Sequence, residues 1–280
     1  ALIFGGTRTI FSGRINGFQS FDRFVERRLE QVQQSEQLSV KAVMIGHVYA
    51  DGTDLAPGCE GQITTRLIDR YAERNAIIFT NFGRSQFQLG NQFWRKSLQK
   101  VTIFQLALEE IREFFQQDKD IRSLRDMITW FQKNEITAVI TMDRAGAIAT
   151  LKDGQHGVIF ARPYDLGERF VDSTGAGDAF GAGLVSYFVD KVVEAEKRGL
   201  RLDGHAWDKI ITIGNLEDAI ERARCWAAHC CTTLGAASDC LTLPEFDDFR
   251  KKLGNQASAV VKKGHLHDFE DILWLVDKAY

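Results

Sequence analysis

Four short apolar runs, separated by stretches of helical period, limit what this chain can fold into. The runs are Lys41-Ala-Val-Met-Ile-Gly46, Ala76-Ile-Ile-Phe-Thr80, Val101-Thr-Ile-Phe104 and Ala138-Val-Ile-Thr141. Residues 63–71, 93–98, 108–115 and 121–133 between them carry apolar side chains at helical spacing. Buried strands alternating with helices call for a parallel sheet with helices on both faces. Residues 145–151 and 157–161 add a hairpin across the turn Asp153-Gly154. After Phe170-Val171 a glycine-rich loop leads into a helix over residues 177–189, and further helices are predicted over 216–233, 246–253 and 269–278. The fold class is therefore α/β, a doubly wound, mostly parallel sheet.

The first 40 residues read differently. Residues 1–18 alternate short apolar runs with Gly5-Gly6, Gly13 and Asn16-Gly17, which predicts β-hairpins, and residues 21–32 have helical spacing. Strand-like residues begin at Ala1 with no polar lead-in, so the sequence is expected to start inside a domain. No linker, internal repeat or low-complexity tract divides the rest, and residues 1–280 are expected to form a single domain.

Composition excludes more than it assigns. A net charge of −3 gives no broad electrostatic attraction to nucleic acid or to a membrane surface. No apolar run approaches the length of a membrane-spanning helix. Lys251, Lys252, Lys262 and Lys263 sit among acidic residues and are expected on a solvated helix face. Cys59, Cys225, Cys230, Cys231 and Cys240 form no CxxC pair and no zinc-like spacing with histidine, which implies a reducing, cytoplasmic setting.

Chemistry concentrates in Arg169-Phe-Val-Asp-Ser-Thr-Gly-Ala-Gly-Asp-Ala-Phe-Gly-Ala-Gly-Leu184. A strand end passes through small residues into an apolar helix. That arrangement lets backbone N–H groups and the positive end of a helix converge on a phosphate. Asp178 sits beside this cradle, where its carboxylate can accept the proton of a hydroxyl attacking phosphorus. The segment is not a Walker A loop, because no Gly-Lys-Ser/Thr follows, and its glycine spacing is not the dinucleotide fingerprint. A glycine turn that merely starts a helix is the simpler alternative, but the full string Asp172 to Phe180 is far more specific than a bare GxG.

That string resembles the C-terminal signature of the ribokinase-like (PfkB) carbohydrate kinase family. Ala138-Val-Ile-Thr-Met-Asp-Arg-Ala-Gly-Ala147 is similar to the strand and turn that precede the signature in the family. Val101-Thr-Ile-Phe-Gln-Leu-Ala-Leu-Glu-Glu110 falls where the family carries Asn-x-x-Glu. Thr233-Leu-Gly-Ala-Ala237 resembles a loop that flanks adenine. The resemblance implies an ATP-dependent phosphotransferase acting on a hydroxyl of a small sugar, sugar phosphate or nucleoside, with Mg2+. It implies Asp178 as base and substrate contact, and Gly175, Ala176 and Gly177 as an anion hole. It also implies nucleotide contacts at Thr141, Asp143, Gly146, Thr174 and Gly235, with Asp172 and Thr174 shaping the loop. Residues 1–40 would then be remnants of a small β lid, through which two copies can pair, and residues 41–280 the nucleotide-binding core.

Several positions stay open on sequence grounds. Glu110 is either a magnesium-organising carboxylate acting through water or a solvated helix charge. Arg84 either approaches substrate or lies on the surface, and His47 either borders the cleft or sits in an ordinary loop. Ala107 replaces the family's asparagine, and Asp143 replaces a glycine near the expected phosphates. An alternative to a working kinase is therefore a kinase-like protein that binds nucleotide or sugar without turnover.

Overall fold

The computed structural model describes residues 2–4, 7–9, 42–46, 60–152, 157–200, 209–235, 242–254 and 261–279. Near the start, β1 (Leu2–Phe4) and β2 (Thr7–Thr9) pair antiparallel, as the hairpin reading of this segment requires. The predicted helix over 21–32 and His47 lie outside the described residues.

The main sheet opens with β3 (Ala42–Ile45), followed by α1 (Gln62–Glu73) and β4 (Ile77–Thr80). A short α2 (Arg84–Phe87) and α3 (Gly90–Leu98) lead to β5 (Ile103–Ala107). Then come α4 (Leu108–Phe115), α5 (Leu124–Lys133) and β6 (Ala138–Thr141). A tight turn gives β7 (Ala147–Thr150), and β8 (Val158–Ala161) follows. The long α6 (Ala176–Lys197), α7 (Ile213–Cys230) and α8 (Leu243–Lys252) precede β9 (Val261–Gly264) and α9 (Glu270–Ala279).

The seven strands lie in sequence order, β3 to β9. β3 to β6 pair in parallel, while β6–β7, β7–β8 and β8–β9 pair antiparallel. β3 to β6 and β8 therefore run one way, and β7 and β9 run against them. The mostly parallel α/β sheet expected from the alternation is present.

Strand periodicity sends alternate side chains to opposite faces. On one face Ile78, Phe104, Leu106, Ile140 and Phe160 pack against α1, α3, α4, α5 and α9. An aromatic cluster holds this side together: Phe82 and Trp94 lie 4.7 Å apart and Phe114 and Phe115 5.1 Å apart, ring centre to ring centre. On the other face Ile77, Phe79, Ile103, Val139 and Ile159 meet Phe180, Leu184 and Phe188 of α6 and Leu216 and Ile220 of α7. Each such buried side chain contributes roughly 1.5–3 kcal/mol.

Element boundaries and one placement differ from the sequence reading. The expected helix over 121–133 begins only at Leu124, because Ser123 accepts the Asp126 N–H at 3.1 Å and caps it. α6 runs to Lys197 rather than 189, since its charged second half keeps good helix formers. Lys262 and Lys263 are on no helix face: they lie in β9 at the sheet edge, where lysines deter further strand pairing. Lys251 and Lys252 end α8 in solvent, as expected.

Candidate active site

The start of α6 meets the sheet at β5. Gln105, the middle residue of β5, donates from Nε2 to the Gly177 carbonyl at 3.2 Å. Asp178 lies on the first turn of α6 and is exposed.

Backbone conformation explains the loop's small residues. Gly175 is the N-cap of α6 with φ 82°, a left-handed geometry that favours glycine. At Gly177 an added Cβ would meet no protein atom within 4 Å. Packing therefore gives no reason for a glycine at 177, and the open space is what a ligand approaching the backbone needs. Ala179 N–H makes the first helical bond, to Gly175 O at 2.9 Å. Ala176 N–H is engaged by Ser173 O at 3.1 Å. Among the described residues the N–H groups of Gly175, Gly177 and Asp178 have no such acceptor, and they are the donors the helix start offers to an anion.

Asp172 organises this loop from beneath. It is buried, at 9% exposure. One oxygen accepts from Thr174 N–H at 3.0 Å and from Thr174 Oγ1 at 2.8 Å, and the other accepts from Gly235 N–H at 3.0 Å. The carbonyl of Cys231 accepts the Val171 N–H at 2.8 Å, and Cys230 Sγ donates to Thr174 O at 3.4 Å. The end of α7 and the phosphate-type loop are therefore one hydrogen-bonded unit. Burial, then Cys230, then the charges of Asp143 and Asp172 push the Cys231 thiol up to about 11.

The turn after β6 carries the other expected nucleotide residues. Thr141 ends β6, and its hydroxyl is 3.5 Å from Leu106 O. Asp143 is exposed with φ 46°. Its backbone is left-handed, a conformation that aspartate tolerates better than most side chains other than glycine. Gly146 has φ 99°, and a Cβ there would lie 2.1 Å from Ala161 O, so it is required by the β6–β7 turn itself.

Glu110 caps its own helix. Its Oε2 accepts the Ala107 N–H at 2.8 Å, and Ala107 is the N-cap of α4. The carboxylate is half-buried rather than a free surface charge. Arg84 opens α2, and its side chain lies outside the described residues. Trp94, another residue near the expected cleft in sequence, is fully buried and donates to Gln86 O at 2.7 Å, away from the loop. His229 packs edge-on against Phe249 with ring centres 5.1 Å apart.

Two features were not read from the sequence. Gln105 sits in an apolar strand with nothing local to mark its contact with α6. The second is a buried polar cluster: Glu221 of α7 accepts from Tyr164 Oη and from Arg224 Nη1, and Arg224 stacks 4.3 Å from the Tyr164 ring. Burial first, then Glu221, raises the Tyr164 phenol well above its ordinary value. This cluster anchors the segment after β8 to α7. Among the described residues, no group of three His, Cys, Asp or Glu side chains is placed to hold a metal ion.

Residues 30–243 match the profile described as pfkB family carbohydrate kinase. No curated protein matches the chain. Among solved structures, ribokinase from Giardia lamblia aligns with TM-score 0.57 and 15% identity, covering 80% of this chain and 63% of that one. Fructokinase from Vibrio cholerae O395, in its fructose-, ADP- and calcium-bound form, gives 0.53 and 16%, covering 75% and 61%. Aminoimidazole riboside kinase from Salmonella enterica, complexed with aminoimidazole riboside and an ATP analogue, gives 0.50 and 16%, covering 75% and 63%. At such identity the likeness concerns the fold. The chain spans less than two thirds of the length of these structures.

Proposed function

The chain belongs to the pfkB family of carbohydrate kinases, and from that premise we propose that it transfers the γ-phosphoryl group of ATP to a hydroxyl of a small sugar, sugar phosphate or nucleoside. The observation that carries this reading is the first turn of α6. Free N–H donors, an open space at Gly177 and the exposed carboxylate of Asp178 share the start of this helix.

In the proposed step, Asp178 accepts the proton of the acceptor hydroxyl as its oxygen attacks the γ-phosphorus. The new O–P bond forms while the bond from that phosphorus to the β–γ bridging oxygen breaks, and ADP leaves. The N–H groups of Gly175, Gly177 and Asp178 hold the charge on the transferred group, and they are already oriented by the helix. Ala176 contributes its backbone shape, with its own N–H turned to Ser173. Thr141, Asp143, Gly146, Thr174 and Gly235 border the nucleotide. Glu110 would hold a magnesium ion through water, and that ion would neutralise triphosphate charge.

The substrate classes follow those named for the V. cholerae and S. enterica enzymes, which bind fructose and aminoimidazole riboside. Arg84, at the start of α2, is the further proposed substrate contact. Pairing of two copies would use the β1–β2 hairpin. Cys225, Cys230 and Cys231 are free thiols, in keeping with a cytoplasmic enzyme.

A second reading, nucleotide or sugar binding without turnover, draws on Asp143 and Ala107. Asp143 adds a negative charge near the proposed phosphates, and Ala107 removes a polar side chain from the start of α4. Measuring ATP consumption by the purified protein with fructose, ribose and inosine separates the two. Turnover with any acceptor supports the kinase. Nucleotide binding with no turnover across the panel supports the second reading.

A further inference from the structure

We propose that Gln105 is a positioning residue for phosphoryl transfer, holding the peptide unit between Gly177 and Asp178; this rests on the kinase reading above. β5 reads Ile103-Phe-Gln-Leu-Ala107, and its alternation turns Phe104 and Leu106 to the aromatic core and Ile103 and Gln105 toward α6. Gln105 is the polar interruption of that strand and is 8% exposed. A buried amide is costly unless it is hydrogen-bonded, and the bond it makes is the one to Gly177 O at 3.2 Å.

The carbonyl of Gly177 and the N–H of Asp178 are two ends of one peptide plane. A donor on that carbonyl fixes the plane's orientation and polarises its N–H, making the N–H a stronger donor to an anion. Gln105 therefore acts on an anion-hole donor and on the backbone of the proposed base through a single contact. Gly181 makes the contact possible. A Cβ at 181 would stand 2.6 Å from Gln105 Oε1 and 3.5 Å from Met44 Cε, so an alanine there would push the amide from its present position. Gln105 and Gly181 form a matched pair across the strand–helix interface.

The test compares wild type, Gln105→Met, Gly181→Ala and the double variant. ATP turnover is measured with fructose, ribose and inosine, and the Gly177 and Asp178 amide signals are followed by NMR with and without Mg2+ and ADP. Gln105→Met should lower kcat about tenfold or more while KM for ATP stays within about threefold, a split expected of misplacement rather than lost binding. The Asp178 amide proton should move upfield. Gly181→Ala, which displaces the native amide, should reproduce both effects, and the double variant should be no worse than either single change. Wild-type kcat and an unmoved Asp178 signal in Gln105→Met would overturn the proposal, as would additive losses in the double variant. Should Gln105→Met fail to fold, Gly181→Ala decides alone, since alanine favours the helix and only the displaced amide can then lower kcat. Should wild type consume no ATP with any acceptor, the kinase reading fails separately. The ADP-induced shifts at Gly177 and Asp178 then decide: weaker in Gln105→Met supports the positioning role, unchanged refutes it.

Discussion

The carboxylate of Asp172 holds the backbone N–H of Gly235 at 3.0 Å, joining points 63 residues apart in the chain. Its other oxygen holds Thr174 at the same time. Asp172 therefore adds a side-chain tie between the glycine loop and the segment after α7 to the backbone bonds that Cys231 O accepts.

Replacing that side chain should be felt in both places. Asp172→Ala is expected to lower unfolding free energy by about 1–3 kcal/mol, because it removes the acceptor of part-buried donors on Thr174 and Gly235. It should also raise KM for ATP. Denaturant unfolding and steady-state kinetics check the two effects. A variant with wild-type stability would show that the tie does not hold the loops.

The turn after β6 offers opposed substitutions. Gly146→Ala should destabilise by about 2 kcal/mol or more, since its Cβ would strike the Ala161 carbonyl and φ is positive. Asp143→Gly relieves a left-handed aspartate and should stabilise by up to about 1 kcal/mol. It also removes a charge near the proposed phosphates, so ATP affinity should rise. Weaker ATP binding in Asp143→Gly would count against placing the phosphates near this turn.

Alkaline stability should follow the buried thiols. Burial, with Glu221 nearby, pushes Cys225 up to about 12 from an ordinary value of 9.0. Cys231 is pushed up to about 11. The folded state thus keeps protons that the unfolded chain releases, so this stability is complete below pH 9.0 and falls as pH rises toward 11–12. The denaturation midpoint should drop across that window, and Cys225→Ala should flatten the slope. An unchanged slope in that variant would assign the pH dependence elsewhere.

Glu110 has a capping role and a proposed metal role that can be separated. Glu110→Gln keeps an acceptor for the Ala107 N–H and should change stability by less than about 1 kcal/mol. If the carboxylate also reaches magnesium through water, the Mg2+ concentration giving half-maximal turnover should rise. An unchanged magnesium dependence would leave Glu110 with capping alone.

The sheet was legible where strands are apolar. Ala76-Ile-Ile-Phe-Thr80 and Ala138-Val-Ile-Thr141 announce themselves because both faces of β4 and β6 are covered. β9 was not legible: Val261-Lys-Lys-Gly264 has no strand pattern, and pairing with β8 sets its conformation. The loop from Asp172 to Asp178 stood out for its string of small residues. The contacts that organise it did not, because Gly235 and Gln105 are distant in sequence and only the fold brings them near. Ala107 looked like a lost polar group, yet its N–H is what Glu110 caps, a backbone role that residue type does not reveal.

Asp178→Asn tests the central claim most directly. The variant keeps size and helix start, so ADP should bind within about threefold of wild type while kcat falls about 100-fold or more. Full turnover by Asp178→Asn, with the acceptor that wild type phosphorylates, would contradict the assignment of Asp178 as the base.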